Sequence, residues 1–316
     1  MISVNALALG LVREMEEDPD RFGAKVSRLA NGATVVDVGL EAPGGWLAGK
    51  YYAEITMGTL GRVSFDRFDL MGVELPSVVT TIDNPLIACL ACQMSGWPLE
   101  SGEFSPVISG PGRTLAVGVD KYIHLHPYRD ASQHAVVGLQ MDRPVTEAMV
   151  QRIAADCSVR EENVHVLLAP SGSLVGSIQV AARSVEQGMH KLWMEGFDLQ
   201  RILSAWGYAP VAPPVRDELK AFGRINDCLV YGGVAVYLVM GDDDAIEAIV
   251  DRVVSKASPA YGRTFEEIYE DAGRDFWKID PGLHSPAVVQ IHNVASGKAY
   301  RAGEINYEVL RRSLLT

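Results

Sequence analysis

The chain predicts an α/β (α+β) subunit, because apolar runs of strand length alternate with longer segments whose apolar residues recur every three or four positions. Glycine, proline and small polar residues sit at the joints, and neither a fixed-period repeat nor a low-complexity linker interrupts the alternation. The opening MISVNALALGLVREMEED reads as an amphipathic helix, since it lacks the charged start and long apolar centre of a signal peptide. Strands are expected at Thr34–Val38, Ala135–Leu139, Val164–Leu168, Cys228–Val230, Val234–Val239 and Val288–His292. Helices are expected at Asp83–Trp97, Val145–Cys157, Leu174–Glu195, Ala245–Val254 and Thr264–Ala272. The clearest succession is NVHVLLAPSGSLVGSIQVAARSVEQGMHK over Asn163–Lys191: an apolar strand, a break of turn residues and helix caps at Pro170–Ser173, then a helix. Two α/β regions, 1–127 and 128–316, are the expected organisation, with discontinuous domains an open alternative because no composition shift marks a boundary.

Composition narrows the class. With 316 residues, 48% hydrophobic and 22% charged, the chain has material for one large core or two, and it is neither disordered nor fibrous. A net charge of −12 with no basic cluster argues against a nucleic-acid partner, whose phosphates are bound by grouped Lys and Arg. No run approaches the eighteen or so apolar residues of a membrane span. Four cysteines make no disulfide framework, so a reduced cytoplasm is the expected location.

Several segments invite a chemical reading. GGWLAGK, Gly44–Lys50, follows a nucleotide-binding P-loop until Tyr51 replaces the Ser or Thr that would bind magnesium, so use of ATP or GTP is not expected. SGPGR, Ser109–Arg113, fails as a dinucleotide fingerprint because Leu115 stands where the third glycine belongs. Cys89 and Cys92 form a lone CxxC in an apolar run, and His124 with His126 has no further ligands nearby, so no metal is expected. The Gly172–Gly176 stretch misses the serine-hydrolase elbow by one residue, which leaves Ser171 and Ser173 as helix caps or ring-binding hydroxyls.

Gln179, Arg183, Glu186 and His190 share one polar face of the expected helix, beside the apolar stripe Ile178, Ala181, Val185, Met189 and Leu192. Arg183 and Glu186 can therefore point into one space. The competing reading is a surface ion pair contributing roughly 0.2–0.5 kcal/mol.

The wording around the pair resembles the methenyltetrahydromethanopterin cyclohydrolase family of one-carbon metabolism in methanogenesis and methylotrophic formaldehyde oxidation. The resemblance runs through SVNALA, NGATVVDVG, AEITMGTLG, DNPLIACLACQMSGW, SGPGRTLA, LAPSGSLVGSIQVAARSVE, GYAPVAPP, GRINDCLVYGG, DFWKIDPGLHSPA and SGKAYRAGEIN. It implies a two-domain subunit with a substrate cleft between the domains, a cytoplasmic homotrimer, and hydrolysis of a methenyl bridge to an N5-formyl group, reversibly, without metal or redox cofactor. Glu186 is then the acid/base and Arg183 the orienting group. Gly44, Gly45, Ser109, Gly110, Gly112, Arg113, Ser171, Ser173, Gln179, Arg224, Asn226 and Asp227 become substrate-binding candidates, with Arg113 suited to an anionic part of the substrate. EFSPVISGPGRTLA departs from the YFAMGSGPARA-like block typical of the family, which leaves the identity of the pterin open. A methenyltetrahydrofolate cyclohydrolase and a pterin-binding paralogue without activity are the alternatives.

Overall fold

Thr34–Asp37, Ala135–Gln140 and Val164–Leu168 carry buried side chains at nearly every position, the pattern of strands covered on both faces. In the computed structural model they are the parallel centre of a sheet. The structure describes all residues except 1, 95, 96, 98, 100–105, 117 and 119–122. Along the chain run α1 (Val4–Glu17), α2 (Pro19–Phe22), β1 (Lys25–Arg28), β2 (Thr34–Asp37), α3 (Trp46–Thr56), β3 (Gly61–Leu70), β4 (Val73–Ile82), a π-helix (Leu86–Gln93), β5 (Val107–Ser109), β6 (Ala135–Gln140), α4 (Glu147–Cys157) and β7 (Val164–Leu168). There follow α5 (Leu174–Ala181), α6 (Ser184–Met194), β8 (Ile202–Pro210), α7 (Glu218–Gly232), β9 (Val234–Val239), α8 (Asp243–Glu247), α9 (Phe265–Asp271), β10 (Val288–Asn293), β11 (Ala299–Gly303) and α10 (Tyr307–Leu314). The architecture is mixed α/β, as expected.

The chain forms two compact units, Met1–Gly61 with Leu86–Gln179, and Arg62–Pro85 with Val180–Thr316. The division differs from a single boundary after residue 127. The hairpin β3–β4 leaves the first half of the chain to pair with β8, an excursion that no change in composition announces.

The first unit is a five-stranded sheet in the order β1-β2-β7-β6-β5, its outer strands antiparallel to their neighbours. One face is covered by α1, α3 and α5, whose Ala8, Val12, Tyr52, Ile55 and Val175 lie on Val36, Leu167 and Val136. The opposite face is covered by α4 through Met149, Val150 and Ile153 on Val35, Val137 and Val166. Adjacent strands β7 and β6 thus send their following helices to opposite faces.

The second unit is a six-stranded sheet in the order β11-β10-β9-β8-β4-β3, in which β9 and β10 are parallel and the β10–β11, β8–β9 and β4–β8 pairs antiparallel. Helices α6 and α7 lie against β8, and α6 also meets β9, where Tyr237 Oη donates to Val185 O at 2.7 Å.

Three expected elements change. Cys228–Val230 is helical, inside α7, because this part of the helix is buried on every side and its apolar run carries no periodic signature. Asp83–Trp97 contracts to the π-helix, with Ser95 and Gly96 outside the described residues, as are Glu103, Phe104 and Ser105 of the divergent block. Ala245–Val254 is the short α8 followed by a 3₁₀ turn at Val250–Arg252. The fourth difference concerns the Arg183 helix, described below.

Candidate active site

The carboxyl ends of β2, β7 and β6 lie side by side in the first unit. At the end of β2 the buried Asp37 turns the chain around its own carboxylate. Oδ1 accepts from the N–H groups of Gly39 (3.0 Å) and Leu40 (2.7 Å), and Oδ2 from Glu41 (2.8 Å) and Ala42 (3.1 Å). Gly44, at φ +64°, then redirects the backbone, and Gly45 precedes the first turn of α3. A Cβ on Gly44 would lie 2.1 Å from the Val38 carbonyl oxygen and 2.8 Å from Val175 Cγ2, so the loop rests on the start of α5.

After β7, Ser173 Oγ donates to Pro170 O at 2.8 Å and accepts from Gly176 N–H at 2.9 Å, which begins α5 as the sequence suggests for a cap. Gln140, the half-buried last residue of β6, joins the neighbouring elements: its Nε2 donates to Ser171 Oγ at 2.8 Å, and its Oε1 accepts from Gln179 Nε2 at 2.6 Å. Ser171 and Gln179 are buried. The structure therefore brings Gly44, Ser171, Ser173 and Gln179 to one edge. It adds Asp37 and Gln140, which the sequence reading passed over; a strand-terminal polar residue after an apolar run was the available signal.

The expected single helix Leu174–Glu195 is interrupted at Ala182 and Arg183. Arg183 N–H closes back onto Val180 O at 2.9 Å, and Arg183 O accepts from Gln187 N–H at 2.9 Å, so Arg183 is the cap of α6 and Glu186 lies in its first turn. Ala-Ala-Arg favours helix, so packing overrides local preference at this break. The Arg183 Nη1 to Glu186 Oε2 distance is 3.7 Å, with each residue only 8% exposed. The solvated surface-pair reading is thereby lost, since both groups are withdrawn from water.

The remaining candidates make the following contacts. Ser109 pairs with Gly138 in mid-strand, and Gly110 and Gly112 press on Val136 and Val137 at a distance from the Gln140 edge. Arg113 is fully buried and donates to Leu90 O at 2.9 Å. In the second unit Arg224 Nε donates to Ser313 O at 2.9 Å, Asn226 Nδ2 to Phe222 O at 2.8 Å, and Asp227 Oδ1 accepts from Phe265 N–H at 2.8 Å. Burial pushes the Asp227 carboxyl up to about 7, against the lowering effect of Ser313 and the Phe265 N–H. These three residues tie α7 to itself, α9 and α10. Among the described residues no cluster of three or more His, Cys, Asp or Glu is placed to hold a metal ion, and no helix is long and apolar enough to cross a membrane.

Comparison with known sequences decides the family. The family model described as Cyclohydrolase (MCH) matches residues 3–314. The chain belongs to this cyclohydrolase family. It is similar to methenyltetrahydromethanopterin cyclohydrolase of Methanocaldococcus jannaschii, at 40% identity across 99% of this chain and 98% of the relative. The cyclohydrolases of that name from Methanospirillum hungatei (38% identity; 99% of each chain) and Methanococcoides burtonii (36%; 99% and 98%) are similar over the same extent. The cyclohydrolase family wording noted in the sequence is therefore part of a match that runs from end to end.

Proposed function

We propose that the protein is a hydrolase acting on a cyclic amidine, converting the methenyl bridge of a methenyltetrahydromethanopterin-type carrier to the N5-formyl group, reversibly, with Glu186 as acid/base and Arg183 as its orienting partner. Full-length similarity to enzymes of that name supports the reaction. The buried Arg183–Glu186 pair is the observation that supports the residue roles, because a carboxylate and a guanidinium withdrawn from water are costly to fold unless put to use.

The bridging carbon lies between two nitrogens in a delocalised cation and is already electrophilic. Glu186 accepts a proton from water as the new C–O bond forms and the C–N π electrons return to nitrogen. The resulting hydroxyl-bearing carbon collapses: Glu186 returns its proton to the departing nitrogen, that C–N bond breaks, and the hydroxyl proton is lost as the formyl group forms. One water is consumed and one proton released. Arg183 holds the carboxylate in position and presents positive charge to the developing oxygen. The reading carries no cofactor beyond the pterin carrier and places the protein in the cytoplasm as a homotrimer.

The test mixes purified protein with methenyltetrahydromethanopterin and, separately, methenyltetrahydrofolate, following loss of the methenyl chromophore. Glu186→Gln should fold and slow hydrolysis by roughly 10²-fold or more, the scale for lost general acid–base catalysis. Arg183→Ala should cost at least as much. Near-normal turnover in Glu186→Gln removes that residue from the mechanism, and binding without chromophore loss in the wild type identifies an inactive paralogue.

A further inference from the structure

In open α/β sheets, ligands bind outside the carboxyl ends of the strands, at the point where neighbouring strands send their helices to opposite faces. In the first unit that point lies between β6 and β7, since α4 lies on one face and α5 on the other. Gln140 closes β6 at this place and is the half-buried member of its group, with Ser171 and Gln179 buried on either side. Its amide is held at both ends: Nε2 gives one hydrogen to Ser171 Oγ, and Oε1 takes one from Gln179 Nε2.

A primary amide has two N–H donors and two acceptor lone pairs. Among the described residues the two contacts use one of each, leaving Gln140 one donor and one acceptor. A half-exposed amide with a locked polarity can discriminate. Reversing it would require the Gln179 amide and the Ser171 hydroxyl to reverse with it, so the orientation is held by both partners together.

We propose that Gln140 is a substrate-recognition residue that reads the cyclic-amide edge of a 2-amino-4-oxo heterocycle at the β6/β7 crevice, with Ser171 and Gln179 acting as its positioning residues. The inference rests on the cyclohydrolase reading, because a reduced pterin carries that edge: a ring carbonyl that accepts beside a ring N–H that donates. The locked amide meets it with one donor and one acceptor. Holding the side chain before the ligand arrives also spares the rotamer entropy that a free glutamine loses on binding.

Two measurements test it. Gln140→Glu keeps the size but replaces the donor by an acceptor, and Gln140→Met removes both. Each should raise KM for the methenyl carrier by about 10- to 100-fold, the range for leaving one polar ligand group mispaired, while kcat stays within about threefold. In a fluorescence titration, 2-amino-4-oxopteridine should bind wild-type protein about tenfold or more tightly than 2,4-diaminopteridine, whose 4-position donates where the oxo group accepts. Gln140→Glu should lose that preference. An unchanged KM in both folded variants, or equal wild-type affinity for the two heterocycles, overturns the assignment. The titration on wild type needs neither a folded variant nor turnover. A wild type that hydrolyses no methenyl carrier sinks the proposed reaction, whereas an active wild type indifferent to Gln140 sinks only this inference.

Discussion

Asp37→Asn isolates the carboxylate that shapes the loop between β2 and α3, because it preserves size and removes one acceptor and the charge. The native side chain accepts four backbone N–H bonds, two on each oxygen. Asparagine has a single oxygen, so two of the four N–H groups face an NH₂ that cannot accept. A hydrogen bond to a charged group contributes about 1.5–3 kcal/mol, so the two lost bonds amount to about 3–6 kcal/mol. Glu41 is exposed and its N–H can turn to water, which places the expected loss at the lower end, about 3 kcal/mol. Thermal unfolding followed by circular dichroism should move down by roughly 6–12 °C. The loop carries Gly44 against α5, so KM should rise more than kcat falls. An Asn variant that melts within about 1 °C of wild type, the range of an ordinary surface substitution, refutes the view that this carboxylate organises the edge.

Two further outcomes follow from the structure. His165 is buried and held down to about 4, first by burial and then by His134, Arg13 and Arg28, so its neutral form is the folded one; the unfolded chain binds its proton below about 6.5 and the folded chain only below about 4. Stability from this residue is complete above about 6.5 and is lost as pH falls toward 4, by roughly 1.4 kcal/mol per pH unit and about 3 kcal/mol in all. His165→Gln should flatten the pH dependence of the denaturation midpoint by that slope, and an unchanged slope excludes the histidine as its source. Asp227, raised to about 7, acts in the opposite sense, which is why the comparison is between variants and not across pH alone. Gly44→Ala should cost roughly 2–4 kcal/mol, from its positive φ and the Val38 carbonyl oxygen 2.1 Å from the added carbon, read by the same melt; a neutral substitution means the loop can move aside.

The sequence made the first unit readable where one face did not have to be told from the other. Val164–Leu168 has the bounds of β7, and Thr34–Val38 and Ala135–Leu139 differ from β2 and β6 by one residue each, because a strand buried on both sides is an unbroken apolar run. The same logic failed at Cys228–Val230, where an unbroken run is a helix buried all round. The β3–β4 hairpin went unread because its turn places Met71 at φ +54° before Gly72, without the Asn-Gly or Asp-Gly pair that usually marks such a turn. Spacing and family wording single out Arg183 and Glu186 as candidates, but their burial is not legible in the sequence. Gln140 was invisible for another reason: its partners Ser171 and Gln179 are 31 and 39 residues away, and only the order of the strands brings them together.

The interruption at Ala182–Arg183 changes what the Arg183–Glu186 pair can do. In a continuous helix from Leu174 to Glu195, Glu186 would lie in the middle, where every nearby backbone N–H is already bonded to a carbonyl one turn back. With α6 beginning at Ser184, Glu186 falls in the first turn, where backbone N–H groups are not consumed within the helix and the helix end carries partial positive charge. The Arg183 guanidinium adds a full charge at 3.7 Å. Positive charge thus meets this carboxylate from the helix end as well as from Arg183, a combination that the spacing alone would not supply. Restoring a continuous helix would leave the two residues three apart and still remove the helix-end contribution, which makes the position of the helix start, more than the i,i+3 spacing, the feature on which the base role proposed for Glu186 depends.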